Sequence, residues 1–183
     1  DKAIFAYGND GSVTAVSNLV NNSGVVASDV TGVGTARSGV SAAKYGAGLA
    51  IFAYGLAGSV TAVSNLVNSS GVIAADVTGV GTARYYPSAT TYGFDKAIFA
   101  YGTTGSNVSM SNLVGTARSP GAASYGGDKA IMAFGYAASS NVNMSNLVSN
   151  TGVVGSDVTG VGTARQSPGA DGYGGDKAIF AYG

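Results

Sequence analysis

The side chains in this 183-residue chain that could do chemistry are few, and they recur at fixed intervals. Asp29, Asp76 and Asp157 each stand eight residues before an arginine: Arg37, Arg84 and Arg165. A ring of such charges on one face of a repeat protein could bind a polar ligand. The same spacing serves a structural pair, in which Asp caps a turn and Arg joins neighbouring strands through charge-assisted hydrogen bonds. A catalytic carboxylate is needed once rather than once per repeat, so the repetition favours the structural pair. A second recurring group is Asp-Lys, beginning at Asp1, Asp95, Asp128 and Asp176. Each precedes an apolar run, where a hairpin turn with solvated charges is expected.

The missing residue types exclude more than the present ones suggest. His, Cys, Glu and Trp are absent, and nine Lys or Arg balance nine Asp. There is no imidazole base, no thiol nucleophile and no donor set for a common zinc site. A carboxylate pair would have to be built from Asp alone. Zero net charge removes any general attraction to nucleic acid or to an acidic membrane surface. No run holds the closely spaced oxygen ligands of a calcium loop. The glycine-rich GVGTAR segment lacks the Gly-Lys-Ser/Thr ending of a phosphate loop. We therefore expect no catalytic residue, no metal site and no cofactor. What remains is tyrosine: Tyr85 and Tyr86 stand outside the recurring pattern and are candidate surface-binding residues, because exposed Tyr stacks on sugars.

Self-comparison shows what must position these groups. AIFAYG stands at residues 3–8, 50–55, 97–102 and 178–183, with the variant AIMAFG at 130–135. SNLV begins at Ser17, Ser64, Ser111 and Ser145. GTAR begins at Gly34, Gly81, Gly115 and Gly162, so successive copies lie 47, 34 and 47 residues apart. This reads as a single repeat domain over 1–183, with units at about 1–36, 37–83, 84–117 and 118–164 and a partial unit at 165–183. The third unit lacks the stretch that the fourth carries at 149–161. A full unit reads as four short β segments, as at 36–46, 49–55, 59–67 and 71–80. No sustained 3.6-residue period appears, so the expected class is all-β. Pro87, Pro120 and Pro168 follow the repeat arginines and suit the start or edge of a strand. The uncharged stretch 45–75 is rich in Gly, Ser, Thr and Asn, and reads as β-structure without membrane insertion. With a period of two, Ala3, Phe5 and Tyr7 share one face of their strand and Ile4, Ala6 and Gly8 the other. Both faces are apolar, so both are expected to be covered.

Residues 34–55, GTARSGVSAAKYGAGLAIFAYG, resemble a kelch repeat. That resemblance implies four-stranded antiparallel blades, about four of them, in a β-propeller; an open β-solenoid or stacked array is the alternative. Kelch repeats carry paired glycines after the second strand and a Trp near the fourth, and this chain has neither. The wording at 128–131, 146–154 and 157–165 is also similar to highly repetitive open reading frames of cyanophages and other marine bacteriophages. This second resemblance implies a virion structural protein, of tail, fibre or surface. It would be located in the virion, with other virion proteins or copies of itself as partners. An adhesin that binds a host-surface glycan through Tyr85 and Tyr86 is the alternative function.

Overall fold

The computed structural model describes residues 2–79, 81–92, 95–109, 120–137 and 139–183. Among them the only regular elements are β-strands. The first hairpin pairs β1 (Ala3–Asn9) with β2 (Val13–Val20). A three-stranded sheet follows, with β4 (Ala50–Ala57) between β3 (Ser41–Lys44) and β5 (Ser59–Val67). Next, β6 (Ser88–Tyr92) pairs with β7 (Lys96–Ala100). Then β8 (Gly121–Tyr125) pairs with β9 (Lys129–Ala133), and two short strands, β10 (Tyr136–Ala137) and β11 (Ser140–Asn141), pair with each other. The chain returns as β12 (Ser145–Val148) to the free edge of β9. The last hairpin is β13 (Gly169–Tyr173) with β14 (Lys177–Ala181). Every pairing is antiparallel, as short strands joined by glycine turns require. The all-β expectation therefore holds. The junction of the short third unit and its Arg118 lie outside the described residues, as does Asp1.

The segment expected as a fourth strand is not one. It touches its neighbour through isolated bridges: Val26 to Val20 and Val30 to Ser17, Ile73 to Val67 and Val77 to Ser64, Val154 to Val148 and Val158 to Ser145. Its backbone then crosses the neighbouring strand so closely that a Cβ on Gly79 would overlap the Ala62 carbonyl. Gly32 and Gly160 make the same approach to Ala15 and Asn143. Only glycine permits that crossing, which ends the ladder two residues after the second bridge.

The sheets are joined by their small first strands. β3 packs against β6, β6 against β8, and β8 against β13. These strands are mostly Ala, Ser, Gly and Thr, so backbones come close enough for side chain to reach backbone across the gap. The Ser41 hydroxyl donates to the Pro87 carbonyl, and the Ser88 hydroxyl to that of Pro120. Thr91 donates to the Lys44 carbonyl at 2.9 Å. Each proline stands directly before a strand, where its missing N–H costs no ladder bond.

The core is divided among the spaces between sheets. One part holds Phe52, Val67 and Ile73, with Ile4, Ala6 and Tyr7 of the first hairpin against them. Another holds Ala100, Tyr101, Ala130, Met132, Val148 and Val154. Two-sided cover of the AIFAYG strand is met at Phe52, which is 5% exposed, and not at Phe5, which is 64% exposed. Among the described residues the succession of packed strands runs from β3 to β13 and returns to β1 or β2 through no comparable contact. No helix among them is long and apolar enough to cross a membrane.

Candidate functional site

The recurring residues converge at the junctions between sheets, and the aromatic of each Ala-Tyr-Gly sequence begins the arrangement. The β1–β2 ladder shifts register between Ala6 and Gly8, and the β4–β5 ladder between Ala53 and Gly55. The residue at each shift is left-handed, with φ of 65° at Tyr7 and 66° at Tyr54, and the equivalent residues of the other copies share that conformation: 64° at Tyr101, 62° at Phe134 and 59° at Tyr182. That conformation costs an L-residue about 1–3 kcal/mol unless its surroundings hold it. Here it corrects the period-two reading. The bulge swings Tyr7 away from Phe5 and onto the face of Ile4 and Ala6, against the Phe52 cluster. The Tyr7 and Phe52 rings lie 5.5 Å apart, edge to face at 67°. Tyr54 meets Phe99, and Phe134 meets Phe180, each at 5.7 Å. One face of each sheet thus offers an aromatic to the opposite face of the next, and the junctions have a direction.

Among the described residues an arginine closes three of the junctions. The guanidinium carbon of Arg37 lies 4.1 Å from the Tyr7 ring centroid, that of Arg84 4.0 Å from Tyr54, and that of Arg165 4.2 Å from Phe134. Such stacking favours arginine over lysine, because the planar guanidinium sheds its water more readily. Arg37 is wholly buried. Its Nε donates to the Tyr54 carbonyl at 2.9 Å, Nη1 to the Thr35 carbonyl at 2.9 Å, and Nη2 to Asn65 Oδ1 at 2.7 Å. Arg84 donates to the Thr82 and Phe99 carbonyls, both at 3.1 Å.

Asn65 relays the contact to a carboxylate. Its Nδ2 donates to the Ala74 carbonyl at 3.0 Å and to Asp76 Oδ1 at 2.9 Å. Asp76 also accepts the Thr35 hydroxyl at 2.6 Å and the Thr35 N–H at 3.0 Å. Burial raises the Asp76 carboxyl, but hydrogen bonds from Thr35 and Asn65 and the nearby Arg37 charge outweigh it and hold the group below its ordinary 3.8. Burial pushes the Tyr7 phenol up, and Arg37 draws it part of the way back.

The eight-residue spacing does not bring its own partners together in an ion pair. Asp76 is grouped with Arg37 through Asn65, while Arg84 stacks on Tyr54 one junction further on. Asp29 accepts from Asn18 at 2.7 Å, and Asp157 accepts from Asn146 at 3.0 Å. Arg165 stacks on Phe134. Among the described residues the ion pairs are the neighbours Asp95–Lys96, Asp128–Lys129 and Asp176–Lys177, on the exposed turns before β7, β9 and β14. Tyr85 and Tyr86 lie together, their rings 5.0 Å apart. Tyr85 forms a bridge to Thr103, and the Tyr86 N–H donates to the Gly39 carbonyl at 2.8 Å. Gly39 packs beneath the pair, and the Tyr86 ring stays exposed.

The asparagines are the functional residues that sequence reasoning missed. Asn65 and Asn146 are fully buried, and the Tyr101 hydroxyl donates to Asn146 Oδ1 at 2.8 Å. The signal was present, since an asparagine recurs at the second place of the SNLV segment in each unit. Chemically, the junction is a fastener. At the Arg37 junction the buried cation is sealed between the Tyr7 ring, the Tyr54 and Thr35 carbonyls and the Asn65 amide. Among the described residues no three carboxylates gather to hold a metal ion. No protein-family model matches the chain, and no curated protein matches it.

Proposed function

We propose that this chain is a structural component of a bacteriophage virion, in its tail, fibre or surface, and acts by protein–protein assembly with other virion proteins and copies of itself. We further propose that its sheets form an open stack in preference to a closed kelch-like ring. The directional junctions support the stack, because each sheet presents an aromatic on one side and receives one on the other, so sheets can be added in line.

One observation carries the assembly reading. Polar and aromatic groups are spent inside the junctions, and apolar ones are left outside at regular intervals. Val25, Val72 and Val153 occupy the same place in their units and are all largely exposed. Val30, Val77 and Val158 repeat the pattern. A monomer that needs no partner rarely displays a periodic apolar stripe of this kind. The virion location rests on the phage-like wording of the repeats. Immunogold labelling of purified particles from the source of the sequence tests it. Regularly placed label on the particle is expected, and unlabelled particles alongside free antigen in the lysate would overturn the reading.

The adhesin reading keeps one supporting observation, the exposed Tyr86 ring stacked beside Tyr85. Glycan-array binding that is lost in Tyr86→Ala would move the function to host attachment.

A further inference from the structure

The third unit differs from its neighbours by an internal deletion, and those neighbours show what the deleted stretch does. In the third unit GTAR follows SNLV directly, at Val114 and Gly115, where the second and fourth units carry residues 68–80 and 149–161. That stretch enters the junction with the preceding unit in two places. Its glycine turn comes first. A Cβ on Gly71 would lie 2.4 Å from Leu19 Cδ2 of the first unit, and one on Gly152 would lie 2.9 Å from the Tyr92 hydroxyl of the third. Two residues later an apolar side chain goes in between the sheets. Ile73, 7% exposed, packs in the cluster that meets Ile4, Ala6 and Tyr7. Val154, 1% exposed, packs in the cluster of Ala100 and Tyr101, with Ile98 against it.

The second unit presents the same surface, and the third has no such stretch to seat on it. By position in the repeat, Leu66 is the equivalent of Leu19, and Tyr45 of Tyr92. Both line one hollow of about 260 Å³, with Leu49, Val67, Val72 and Ala74 around them. Leu66 is 38% exposed. Among the described residues no glycine sits against it as Gly71 sits against Leu19. A second departure from the repeat falls on the same spot. Gly48-Leu49 stands where other units carry Asp-Lys, so a leucine lines the hollow in place of a lysine. No charged residue is part of its wall. Such a wall suits an uncharged apolar occupant, since an ionised group would lose its water there without gaining a partner.

We propose that the deletion leaves a seat for an extended segment of another polypeptide, one with the Gly-Val-Val or Gly-Val-Ile wording of this chain's own fourth segments. Its glycine comes down on Leu66 and Tyr45. The apolar residue two places on enters beside Ile51 and Tyr54, the equivalents of Ile4 and Tyr7. This is recognition by adding a missing β segment, in which the backbone supplies the fit and alternate side chains the specificity. The donor is a different chain and not a second copy, because Ile73 and Val154 are already buried in junctions of their own. The inference rests on the assembly reading above and gives it one surface and one kind of partner.

Fluorescence anisotropy of a labelled peptide with the sequence of residues 149–161 tests this on three proteins: the parent chain, Leu66→Asp, and a filled-in chain that carries residues 149–161 a second time between Val114 and Gly115. Far-UV circular dichroism confirms that each one folds. The parent should bind the peptide saturably. Leu66→Asp in the protein, or Val154→Asp in the peptide, should each weaken binding about 100-fold or more through the carboxylate it would bury. The filled-in chain should not bind, because its own segment holds the seat, and its thermal midpoint should lie above the parent's. A parent that shows no saturable binding overturns the proposal. Equal binding by the parent and either altered protein overturns it too, while leaving the assembly reading intact through another surface. Self-association of the parent that the filled-in chain lacks overturns the choice of donor in favour of a second copy. Label missing from the particle, by contrast, removes the virion reading without touching the peptide result.

Discussion

Phe5 and Phe52 have the same neighbours in sequence and opposite surroundings in space, so replacing each by Ala isolates the junction from the strand. Fully burying a Phe side chain is worth up to about 3 kcal/mol of transfer free energy. Phe52, at 5% exposed, has nearly all of it, and its edge contact with Tyr7 at 5.5 Å adds about 0.5–1.5 kcal/mol. Together with the cavity left behind, Phe52→Ala should cost about 3–5 kcal/mol. Phe5, at 64% exposed, retains about a third of the transfer term, so Phe5→Ala should cost about 1 kcal/mol or less. Urea unfolding followed by far-UV circular dichroism and tyrosine fluorescence reads both. Because neighbouring sheets of a repeat protein unfold partly independently, hydrogen exchange should place the Phe52→Ala loss in β4, β5 and the first hairpin. Equal losses for the two variants, or a Phe52→Ala loss below about 1 kcal/mol, would refute the claim that the junction stabilises the fold.

Other consequences follow from the same geometry. Arg37→Ala leaves Asn65 and two carbonyls without their donor in a buried site and should cost about 3–5 kcal/mol; Arg37→Lys should recover less than half of that, since an ammonium cannot fork between acceptors, and thermal unfolding measures both. The folded Asp76 carboxyl lies below its ordinary 3.8, so the stability it contributes is complete above that value and is lost as pH falls through the lower folded one. Thermal midpoints taken from pH 6 down to pH 2 should show this acid loss in the parent and a shallower one in Asp76→Asn. Gly79→Ala should cost about 1–3 kcal/mol, because the added methyl overlaps the Ala62 carbonyl; Gly58→Ala, where nothing lies near the added Cβ, should be limited to the strain of its φ of 80°.

Much of the local structure was legible from residue order. Apolar runs between glycine turns gave antiparallel strands close to where the pattern put them, and each proline stands before a strand. The fourth segment was misread because alternation in GVIAADV satisfies a strand pattern, while Gly79 takes the backbone across its neighbour and ends the ladder. Tyr7 was placed on the wrong face because strict alternation cannot foresee a bulge, and nothing in Ala-Tyr-Gly distinguishes an extended Tyr from a left-handed one. The recurring charges are partnered differently from what their spacing suggests. Spacing along the chain suggested Asp76 with Arg84, whereas stacking put Asp76 beside Arg37 of the preceding junction.

From sequence alone came the all-β class, the repeat, and the absence of the residue types that most enzymes and metal sites use, since composition and periodicity are properties of the chain itself. Which strand face meets which, which arginine reaches which asparagine, and which copy of an identical motif is buried were decided only in three dimensions. The physical reason is that identical motifs differ in what lies beside them: Phe52 is covered by Ile4, Ala6 and Tyr7 of the first hairpin, while Phe5 of that hairpin is 64% exposed.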